Sequence, residues 1–505
     1  MTEQKTNKIL NKNLQRGNGI IMPIFSLPSN YGIGTFGKAA YEFVDFCANS
    51  SIKYWQILPL GPTSYGDSPY QSFSSFAGNP YFIDLDLLKE DSLLKEEDYI
   101  NVDFGDNPRY VDYSIQYNMR YRILKKAYEN GKEKLKEDIK IFREKEKFRL
   151  DDYALYMAIK TEKLDVSRLE FPKEYKERES LSLEKFSKEH EEEINFYIFV
   201  QYEFFKQWNN LKTYANRKKI KIIGDIPIYV AMDSADAWAN SNILKLDENK
   251  NPIFLSGAPP DGFNENGQLR GNPLYDWDKM EENNFKFWID RLMINNKLFD
   301  IIRLDHFIGF NRYYEIPSTD DNAKYGKWVD AKPEKFFKTV LEKIPDIQFI
   351  VEDLGVITDE IRKMKNNFNF PGMKVIQFAF DSSMKSENLP HNYEKNSVCY
   401  SSTHDQSTIN GWLNSLDEEN LQRVKNYFAL TDEEGYNWGI IRGLMSSVST
   451  ISIFEIQDFL NLSDDARINF PGKSGGNRKR RTLKEDFSNE LSEKIKKMGN
   501  LYDRN

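Results

Sequence analysis

Short runs of apolar, β-branched and aromatic residues recur along the chain, separated by polar, glycine-rich and proline-rich stretches. Continuous runs of this kind are typical of strands that are buried on both faces of a parallel sheet. Each run is therefore predicted to contain a strand, the last less clearly than the others. The segments are 20–25, 54–60, 221–230, 299–307, 349–355, 373–380, 397–405 and 447–458.

Helical patterns lie between several of these runs. In 191–213 the apolar positions recur at spacings of three and four, which predicts an amphipathic helix. These positions are Ile194, Tyr197, Ile198, Phe205, Trp208 and Leu211. Alternating strands and helices indicate an α/β fold, and about eight strands favour a closed (β/α)₈ TIM barrel over a doubly wound open sheet. The open sheet is also disfavoured because no glycine-rich phosphate loop follows the first strand.

Two stretches are too long to be simple crossovers between strands. Residues 86–215 are highly charged and helical in pattern, and they are predicted to form a helical subdomain inserted after the second strand. Residues 240–280 are rich in glycine, proline and asparagine and are predicted to be an inserted loop region, either a surface excursion or a functional lid. The whole chain, 1–505, is predicted to form a single catalytic domain around one barrel.

Composition narrows the class of protein. The formal net charge of −8 argues against nucleic acid or an anionic membrane as the main partner. Residues 1–19 contain no apolar signal segment, and no apolar run approaches the ~20 residues that cross a bilayer. Cys47 and Cys399 offer neither a disulfide framework nor a metal-binding spacing. We therefore expect a cytoplasmic protein.

Carboxylates follow four of the predicted strands. The carboxyl ends of barrel strands form the face that carries active sites, so Asp225, Asp305, Glu352 and Asp405 are expected on one face. Arg303 precedes Asp305 by two residues, which puts both side chains on the same side of the strand. The arginine would keep that carboxylate ionised. Asp305 is therefore the candidate nucleophile and Glu352 the candidate acid/base of a retaining glycosidase-type site.

The same acids have other possible roles. A single acid at a strand end is more often a helix cap or a salt-bridge partner, and Asp353 is predicted to be of that kind. A set of four acids interleaved with Arg303, His306 and His404 is harder to explain structurally. A metal site would use the same histidines and aspartates, but no H-x-x-x-H or C-x-x-C spacing supports one. No metal is expected.

An aromatic-rich segment follows the second predicted strand. Aromatic faces stack on sugar rings, while amides and carboxylates bond the sugar hydroxyls, and “SYGDSPYQSFSSFAGNPYF” at 64–82 provides both kinds of group. Its aromatic residues are Tyr65, Tyr70, Phe73, Phe76 and Tyr81. The segment predicts sugar binding, and the alternative is a packing loop.

Several segments resemble one enzyme family. They are “ILPLGPTSYGDSPYQSFSSFAGNPYFIDL”, “GDIPIYVAMDSADAW”, “RLDHFIGF”, “EDLGVIT”, “FPGMKVIQFAFD”, “PHNY” and “THD”. They are similar to the signature blocks of the 4-α-glucanotransferases, also called amylomaltases or disproportionating enzymes, from about residue 19 to about residue 476. The resemblance implies a (β/α)₈ barrel of the α-amylase superfamily with inserted helical subdomains and no C-terminal β-domain.

The resemblance also implies an activity. Family members transfer a segment of an α-1,4-glucan donor, through a covalent β-glycosyl-enzyme, to the 4-hydroxyl of an acceptor glucose or maltooligosaccharide. They need no cofactor. Neither nucleic acid nor a membrane is expected as a partner, and the chain is expected to be a monomer or a homodimer.

Site residues follow motif by motif from the resemblance. It implies Asp305 as nucleophile, Glu352 as acid/base and Asp405 as a third acid that bonds the 2- and 3-hydroxyls of the sugar. It further implies a set of substrate-binding residues: Ser68, Tyr70, Asp225, Arg303, His306, Asp381 and His404. Residues 256–273 are placed like the family's lid, which would include Gln268 and Arg270.

Three motifs depart from the family pattern. “GQLRGNP” has Arg270 where the family has tryptophan, and “GNRKRR” has Arg478 and Arg480 in place of two more. “THDQST” has Gln406 and Ser407 where the family has asparagine and aspartate. Arginine lacks the area of indole and is charged, so acceptor stacking could weaken and water access increase, unless these positions simply tolerate change. Hydrolysis of α-1,4-glucan, or glucan binding without turnover, therefore remain alternatives to transfer.

Overall fold

The strands in the described part of the chain fall into two sheets. The computed structural model describes residues 10–260, 265–355, 357–380, 386–473 and 475–505. Within these ranges the strands, in chain order, are β1 (Gly17–Ile21), β2 (Tyr54–Gln56), β3 (Lys221–Ile226), β4 (Phe254–Ala258), β5 (Gln268–Pro273), β6 (Ile301–Leu304), β7 (Arg312–Pro317), β8 (Lys327–Asp330), β9 (Phe349–Val351), β10 (Gly372–Val375), β11 (Ser397–Tyr400) and β12 (Ile451–Glu455).

The larger sheet is a closed parallel barrel in the order β1-β2-β3-β6-β9-β10-β11-β12, and β12 pairs back with β1. Each of the eight segments predicted from its apolar run overlaps one of these strands, which confirms the predicted (β/α)₈ barrel. The prediction succeeds because β1, β9, β10, β11 and β12 are buried along their whole length, so most of their residues are apolar or small.

Helices connect the strands and cover the barrel. In the described residues they are α1 (Lys38–Asn49), α2 (Leu85–Glu90), α3 (Tyr113–Gly131), α4 (Lys136–Glu162), α5 (Lys173–Lys176), α6 (Ser180–Glu189), α7 (Glu191–Arg217), α8 (Ala235–Ala239), α9 (Trp277–Glu282), α10 (Lys286–Leu298), α11 (Ile308–Asn311), α12 (Pro333–Lys343), α13 (Asp359–Asn367), α14 (Ile409–Ser415), α15 (Glu418–Phe428), α16 (Tyr436–Met445), α17 (Ile456–Phe459) and α18 (Asn489–Leu501). The helix predicted at 191–213 is α7. Its predicted apolar face is buried. No helix in the described part of the chain is long and apolar enough to cross a membrane.

Helices α2 to α7 occupy most of the segment 86–215, which the sequence predicts to be helical. Helix α4 packs on α7, where the Arg149 guanidinium lies 4.3 Å from the Phe205 ring centroid. Further along α7, the Trp208 ring lies 5.2 Å from the ring of Phe36, and its indole N–H donates to the Leu298 carbonyl at 3.1 Å. Helix α7 thus contacts both the preceding helices and the barrel layer, and the boundary of an inserted subdomain stays a prediction.

The smaller sheet corrects the prediction of a loop at 240–280. This segment contains β4, β5 and α9, and the sheet is antiparallel in the order β5-β4-β7-β8. Its strands are hard to detect from sequence because “FLSGA” and “QLRGNP” carry glycine and proline and are only partly buried. They are stabilised by pairing with β7, which comes from a distant segment, as in the partner pair Leu255 and Ile316.

Strand register brings the polar strand ends together. In the β3–β6 pair, Asp225 is the partner of Arg303. Beyond the strands, the Asp305 N–H donates to the Ile226 carbonyl at 3.1 Å and the Glu352 N–H donates to the Leu304 carbonyl at 3.0 Å. These backbone bonds hold Asp305 and Glu352 side by side at the carboxyl end of the barrel.

Candidate active site

Arg303 lies at the centre of a cluster of carboxylates. Its Nη1 is 2.7 Å from both carboxylate oxygens of Asp225 and 3.1 Å from Oδ1 of Asp305. Its Nη2 is 3.0 Å from Oε2 of Glu352. The Arg303 side chain is only 3% exposed, whereas those of Asp305 and Glu352 are 25% and 22% exposed. The guanidinium therefore supports two carboxyl groups that a substrate can still reach.

Glu352 has the properties of a general acid. Burial raises its pKa to about 8, and the neighbouring Asp305 charge adds to this shift, while Arg303 opposes it. The His306 N–H donates to Oε2 of Glu352 at 2.8 Å, which fixes the direction of the carboxyl group. At neutral pH most of the Glu352 population is protonated and able to donate a proton.

Asp305 has the opposite character. Burial would raise its pKa, but the positive charge of Arg303 and a hydrogen bond with Glu352 hold the pKa below its ordinary value. The carboxylate is therefore ionised at neutral pH. A protonated carboxyl group beside an ionised one is the arrangement that retaining glycoside chemistry uses.

His306 is uncharged beside this pair. Burial lowers the pKa of its imidazole to about 4, and the positive charge of Arg270 acts in the same direction. Its backbone lies in the left-handed region, with φ +50°. This conformation is strained for a residue with a side chain, and it aims the His306 N–H at Glu352.

A hydrogen-bonded chain runs from Asp225 to Asp405 through Tyr70 and His404. The Tyr70 hydroxyl donates to Oδ2 of Asp225 at 2.7 Å and lies 2.8 Å from Nε2 of His404. The same Nε2 is 3.3 Å from Oδ2 of Asp405. The Tyr70 and His404 rings stack, with centroids 5.4 Å apart and planes at 15°. These bonds fix the Tyr70 ring at the edge of the catalytic acids.

Asp405 is held by two residues that follow β12. Nδ2 of Asn469 donates to its Oδ1 at 2.5 Å, and the Arg467 guanidinium donates to its carbonyl at 3.0 Å. Although burial would raise the pKa of Asp405, His404 and Asn469 hold it well below the ordinary value. Asp405 is therefore ionised like Asp305, with 41% of its side chain exposed.

The three acids open into one cleft of about 520 Å³. Of the other predicted residues, Tyr70, His306, Gln268 and Arg270 also line it. Strand β5 forms one wall, and residues 469–473, 477 and 478 contribute to another. Strand β5 is connected to the Tyr70 loop, because Nε2 of Gln71 donates to the Asn272 side chain at 3.2 Å.

Comparisons with known proteins agree with this geometry. The family model described as 4-alpha-glucanotransferase matches residues 22–485. The chain belongs to the 4-alpha-glucanotransferase family. A 4-alpha-glucanotransferase of Clostridium butyricum is 50% identical over 485 residues, which cover 96% of this chain and 100% of that protein. One of Thermus thermophilus is 41% identical, over 97% of this chain and 99% of its own length.

A solved structure also matches over the whole chain. Amylomaltase from Streptococcus agalactiae, in complex with acarbose, matches with a TM-score of 0.95 at 40% identity, covering 97% of this chain and 100% of that one. The resemblance inferred from the sequence motifs is thereby confirmed, and the chain is a transferase of the 4-alpha-glucanotransferase family.

Other residues predicted for this 4-alpha-glucanotransferase family site lie behind the cleft or outside the described residues. Asp225 and His404 are buried behind Tyr70, and Ser68 accepts a hydrogen bond from the Tyr70 backbone N–H at 3.3 Å. Their roles in binding sugar stay predictions. Asp381 lies outside the described residues, as do residues 261–264 of the predicted lid.

Sequence reasoning missed several supporting residues. Asp236 accepts hydrogen bonds from the side chain of Ser74 at 3.1 Å and from both the N–H and the hydroxyl of Ser75 at 2.6 Å. It thereby anchors the segment that follows Tyr70. Asn469 was missed because it follows no recognisable strand end. Asp353 was predicted to be either a helix cap or a salt-bridge partner, and it forms a salt bridge with Lys365 at 2.8 Å.

A metal site requires several ligating side chains close together. The described residues contain no group of three or more histidine, cysteine, aspartate or glutamate side chains arranged to hold a metal ion. The two cysteines, Cys47 and Cys399, are buried free thiols.

Proposed function

We propose that the protein performs α-1,4-glucan transfer with Asp305 as nucleophile and Glu352 as acid/base. The observation that carries this proposal is the contact of Arg303 with both carboxyl groups, combined with their opposite pKa shifts. One group is ready to attack and the other to protonate. Family membership supports transfer as the overall reaction.

The first step cleaves the donor. Glu352 protonates the glycosidic oxygen while the Asp305 carboxylate attacks the anomeric carbon, so the glycosidic bond breaks and a glycosyl ester forms. The leaving glucan departs with the proton from Glu352. During this step the negative charge moves from Asp305 to Glu352, and Arg303, which contacts both groups, stabilises it in either position.

The second step completes the transfer. Glu352, now a carboxylate, takes the proton of an acceptor 4-hydroxyl, whose oxygen attacks the anomeric carbon and releases Asp305. Two inversions give net retention of the α-configuration. The acceptor is glucose or a maltooligosaccharide, and the donor is an α-1,4-glucan.

The remaining polar residues bind and orient the sugar. Asp405 bonds the 2- and 3-hydroxyls, and its firm attachment to Asn469 supports this role. Tyr70 presents its ring to the donor, held by Asp225 and His404. Gln268 and Arg270 belong to a lid that protects the glycosyl-enzyme from water until an acceptor binds.

We further propose a cytoplasmic location, supported by the two free thiols, Cys47 and Cys399. The chain would work as a single catalytic domain, with 86–215 as an inserted helical subdomain. Maltooligosaccharides of the cytoplasm would be its substrates.

The test of the proposed function is incubation with maltotriose, followed by chromatography of the products and a glucose assay. A ladder of longer maltooligosaccharides plus glucose is expected. Asp305→Asn and Glu352→Gln should abolish the ladder, whereas Asp346→Asn, a carboxylate 85% exposed on the surface, should leave it intact. Maltose and glucose without longer products would instead identify a hydrolase, and binding without turnover would reject the enzyme.

A donor with an activated leaving group separates the two catalytic roles. Fluoride departs without protonation, so α-maltosyl fluoride should still glycosylate Glu352→Gln but not Asp305→Asn. Equal loss in both variants would contradict the assignment of Glu352 as the acid.

A further inference from the structure

Three basic side chains line the same cleft as the catalytic acids: Arg270, Lys473 and Arg478. Within the described ranges none of them forms an ion pair. Among the described residues, Arg270 donates to the side chain of Gln268, at 3.4 Å. The positive charge of Arg270 nevertheless acts on the catalytic residues, because it contributes to lowering the pKa of both Asp305 and His306. Arg478 likewise acts on the pKa of the nearby Asp67, where it opposes the effect of burial. Since no described carboxylate pairs directly with these three cations, they can bind an anionic group of a substrate.

Two of the cations lie over aromatic rings of the cleft. The Arg478 guanidinium carbon is 5.9 Å from the Tyr70 ring centroid, and Lys473 Nζ is 4.6 Å from that of Phe470. The Arg467 guanidinium carbon is also close to this ring, 4.5 Å from the Phe470 centroid. A neutral sugar ring that stacks on Tyr70 or Phe470 has to share the ring with a cation, so stacking alone does not account for this lining.

The charges of the described lining residues do not balance. In the resting site Asp305 and Asp405 are ionised and Glu352 is protonated, so two carboxylates face three cations. In the glycosyl-enzyme, Asp305 is an ester and Glu352 is the ionised base. The ionised carboxylates are then Glu352 and Asp405, so two negative charges again face three positive ones. An acceptor that enters at this stage meets an excess of positive charge.

A neutral glucan offers no anion to these groups, whereas a phosphate ester does. Arginine binds phosphate through paired N–H donors, and lysine binds it as a point charge. We propose that the cleft takes a phosphorylated glucose as acceptor, with Arg270, Lys473 and Arg478 around the phosphate dianion. This inference rests on the proposed transferase function and names a substrate class for the same site.

With a sugar phosphate as acceptor, the bonds that form and break are the same as with glucose. The free 4-hydroxyl of the sugar phosphate attacks the anomeric carbon, the ester bond to Asp305 breaks, and Glu352 takes the hydroxyl proton. The phosphate group takes no part in bond making. It binds the acceptor through charge-assisted hydrogen bonds, which are stronger than those of a neutral hydroxyl.

The test is an acceptor competition with maltotriose as donor. Glucose, glucose 6-phosphate, glucose 1-phosphate and inorganic phosphate are compared as acceptors, and the products are identified by mass spectrometry. One sugar phosphate is expected to exceed glucose in kcat/KM by about tenfold, the value of one charge-assisted hydrogen bond. The preference should decrease as salt is added. Equal use of glucose and both sugar phosphates would overturn the proposal.

The reaction with inorganic phosphate shows whether the cleft recognises free phosphate or a phosphate group carried by the acceptor sugar. If free phosphate accepts the glycosyl group, giving a glycosyl phosphate, and neither sugar phosphate is preferred to glucose, the phosphate is not carried by the acceptor sugar and the proposal fails. A failed maltotriose ladder would overturn the proposed function and this inference together. An intact ladder without preference would overturn the inference alone.

Variants link the preference to the cleft. The double variant Lys473→Gln, Arg478→Gln should bring the ratio of kcat/KM values, sugar phosphate over glucose, close to one. The matched control is Lys479→Gln, because Lys479 is next in the chain but does not line the cleft. A preference that survives in the double variant, or is lost equally in the control, would contradict the assignment.

Discussion

Arg303 Nη2 lies 3.0 Å from Oε2 of Glu352, yet the pKa of this carboxyl group is raised to about 8. Burial and the adjacent Asp305 charge outweigh the arginine at Glu352, whereas the arginine prevails at Asp305. A single buried cation thus leaves one acid protonated and its neighbour ionised. This difference is what a double-displacement mechanism requires of two carboxyl groups in contact.

Activity should fall as pH rises through about 8, because Glu352 must be protonated to cleave the donor. Asp305 has a lowered pKa and stays ionised throughout, and His306, with a pKa of about 4, is uncharged throughout. The measurement is kcat/KM for maltotriose from pH 5 to pH 9. With α-maltosyl fluoride as donor, whose cleavage needs no acid, the fall above pH 8 should disappear. A fall that persists with the fluoride donor would assign it to another group.

Removal of Arg303 should destabilise the protein as well as inactivate it. Asp225 is fully buried and loses its charged partner in Arg303→Met. Breaking a buried pair on one side costs about 3–5 kcal/mol. The free energy of unfolding can be measured in urea at pH 7.

Asp225→Asn should restore part of the stability lost in Arg303→Met, because the remaining group is then neutral. The double-mutant cycle would show coupling between the two sites. Additive losses would mean that Asp225 and Arg303 do not depend on each other for stability.

The barrel could be predicted from sequence because its strands are buried on both faces. Segments such as “FDIIRL”, which contains β6, are mainly apolar because the strand is buried. Strands β4, β5, β7 and β8 could not be found in this way. They lie in a partly exposed antiparallel sheet whose pairing depends on residues that are distant in the chain, and local composition does not record such pairing.

The acids of the site could be found because they lie at or shortly after the carboxyl ends of barrel strands, with Asp305 and Glu352 directly after β6 and β9. Their partners could not all be found. The sequence predicts the contact of Arg303 with Asp305, but the contacts of Arg303 with Asp225 and Glu352 depend on the register of β3, β6 and β9. Asp236 and Asn469 come from connecting segments, and only the folded chain brings them to Ser75 and Asp405.

Asp236 should act on substrate affinity through the Tyr70 loop. In Asp236→Asn, the amide cannot accept every hydrogen bond that Ser74 and Ser75 donate to the carboxylate. We expect KM for maltotriose to rise severalfold, with a smaller change in kcat and a loss of about 1–3 kcal/mol in stability. Ser75→Ala removes one donor and should have a weaker effect in the same direction. A variant that lowers kcat without changing KM would argue against a role in positioning the loop.

Glu455 should make the stability of the protein dependent on pH. It ends β12, is 1% exposed, and accepts a hydrogen bond from Ser402 at 3.0 Å. Its Oε1 has no hydrogen-bond partner among the described residues. Burial, together with the nearby Asp458, holds its pKa well above the ordinary value. The native state therefore keeps a proton that the unfolded chain loses above its ordinary pKa.

The sign of the effect follows from this difference in bound protons. Where the native state binds more protons than the unfolded state, stability falls as pH rises, by about 1.4 kcal/mol per pH unit for one proton. In Glu455→Gln this contribution is absent, so the decrease in unfolding free energy between pH 5 and pH 8 should be shallower than in the wild type. Glu342→Gln, an exposed position on α12, is the control and should keep the wild-type slope. Equal slopes in Glu455→Gln and the wild type would show that Glu455 is ionised in the native state, and that burial does not control its protonation.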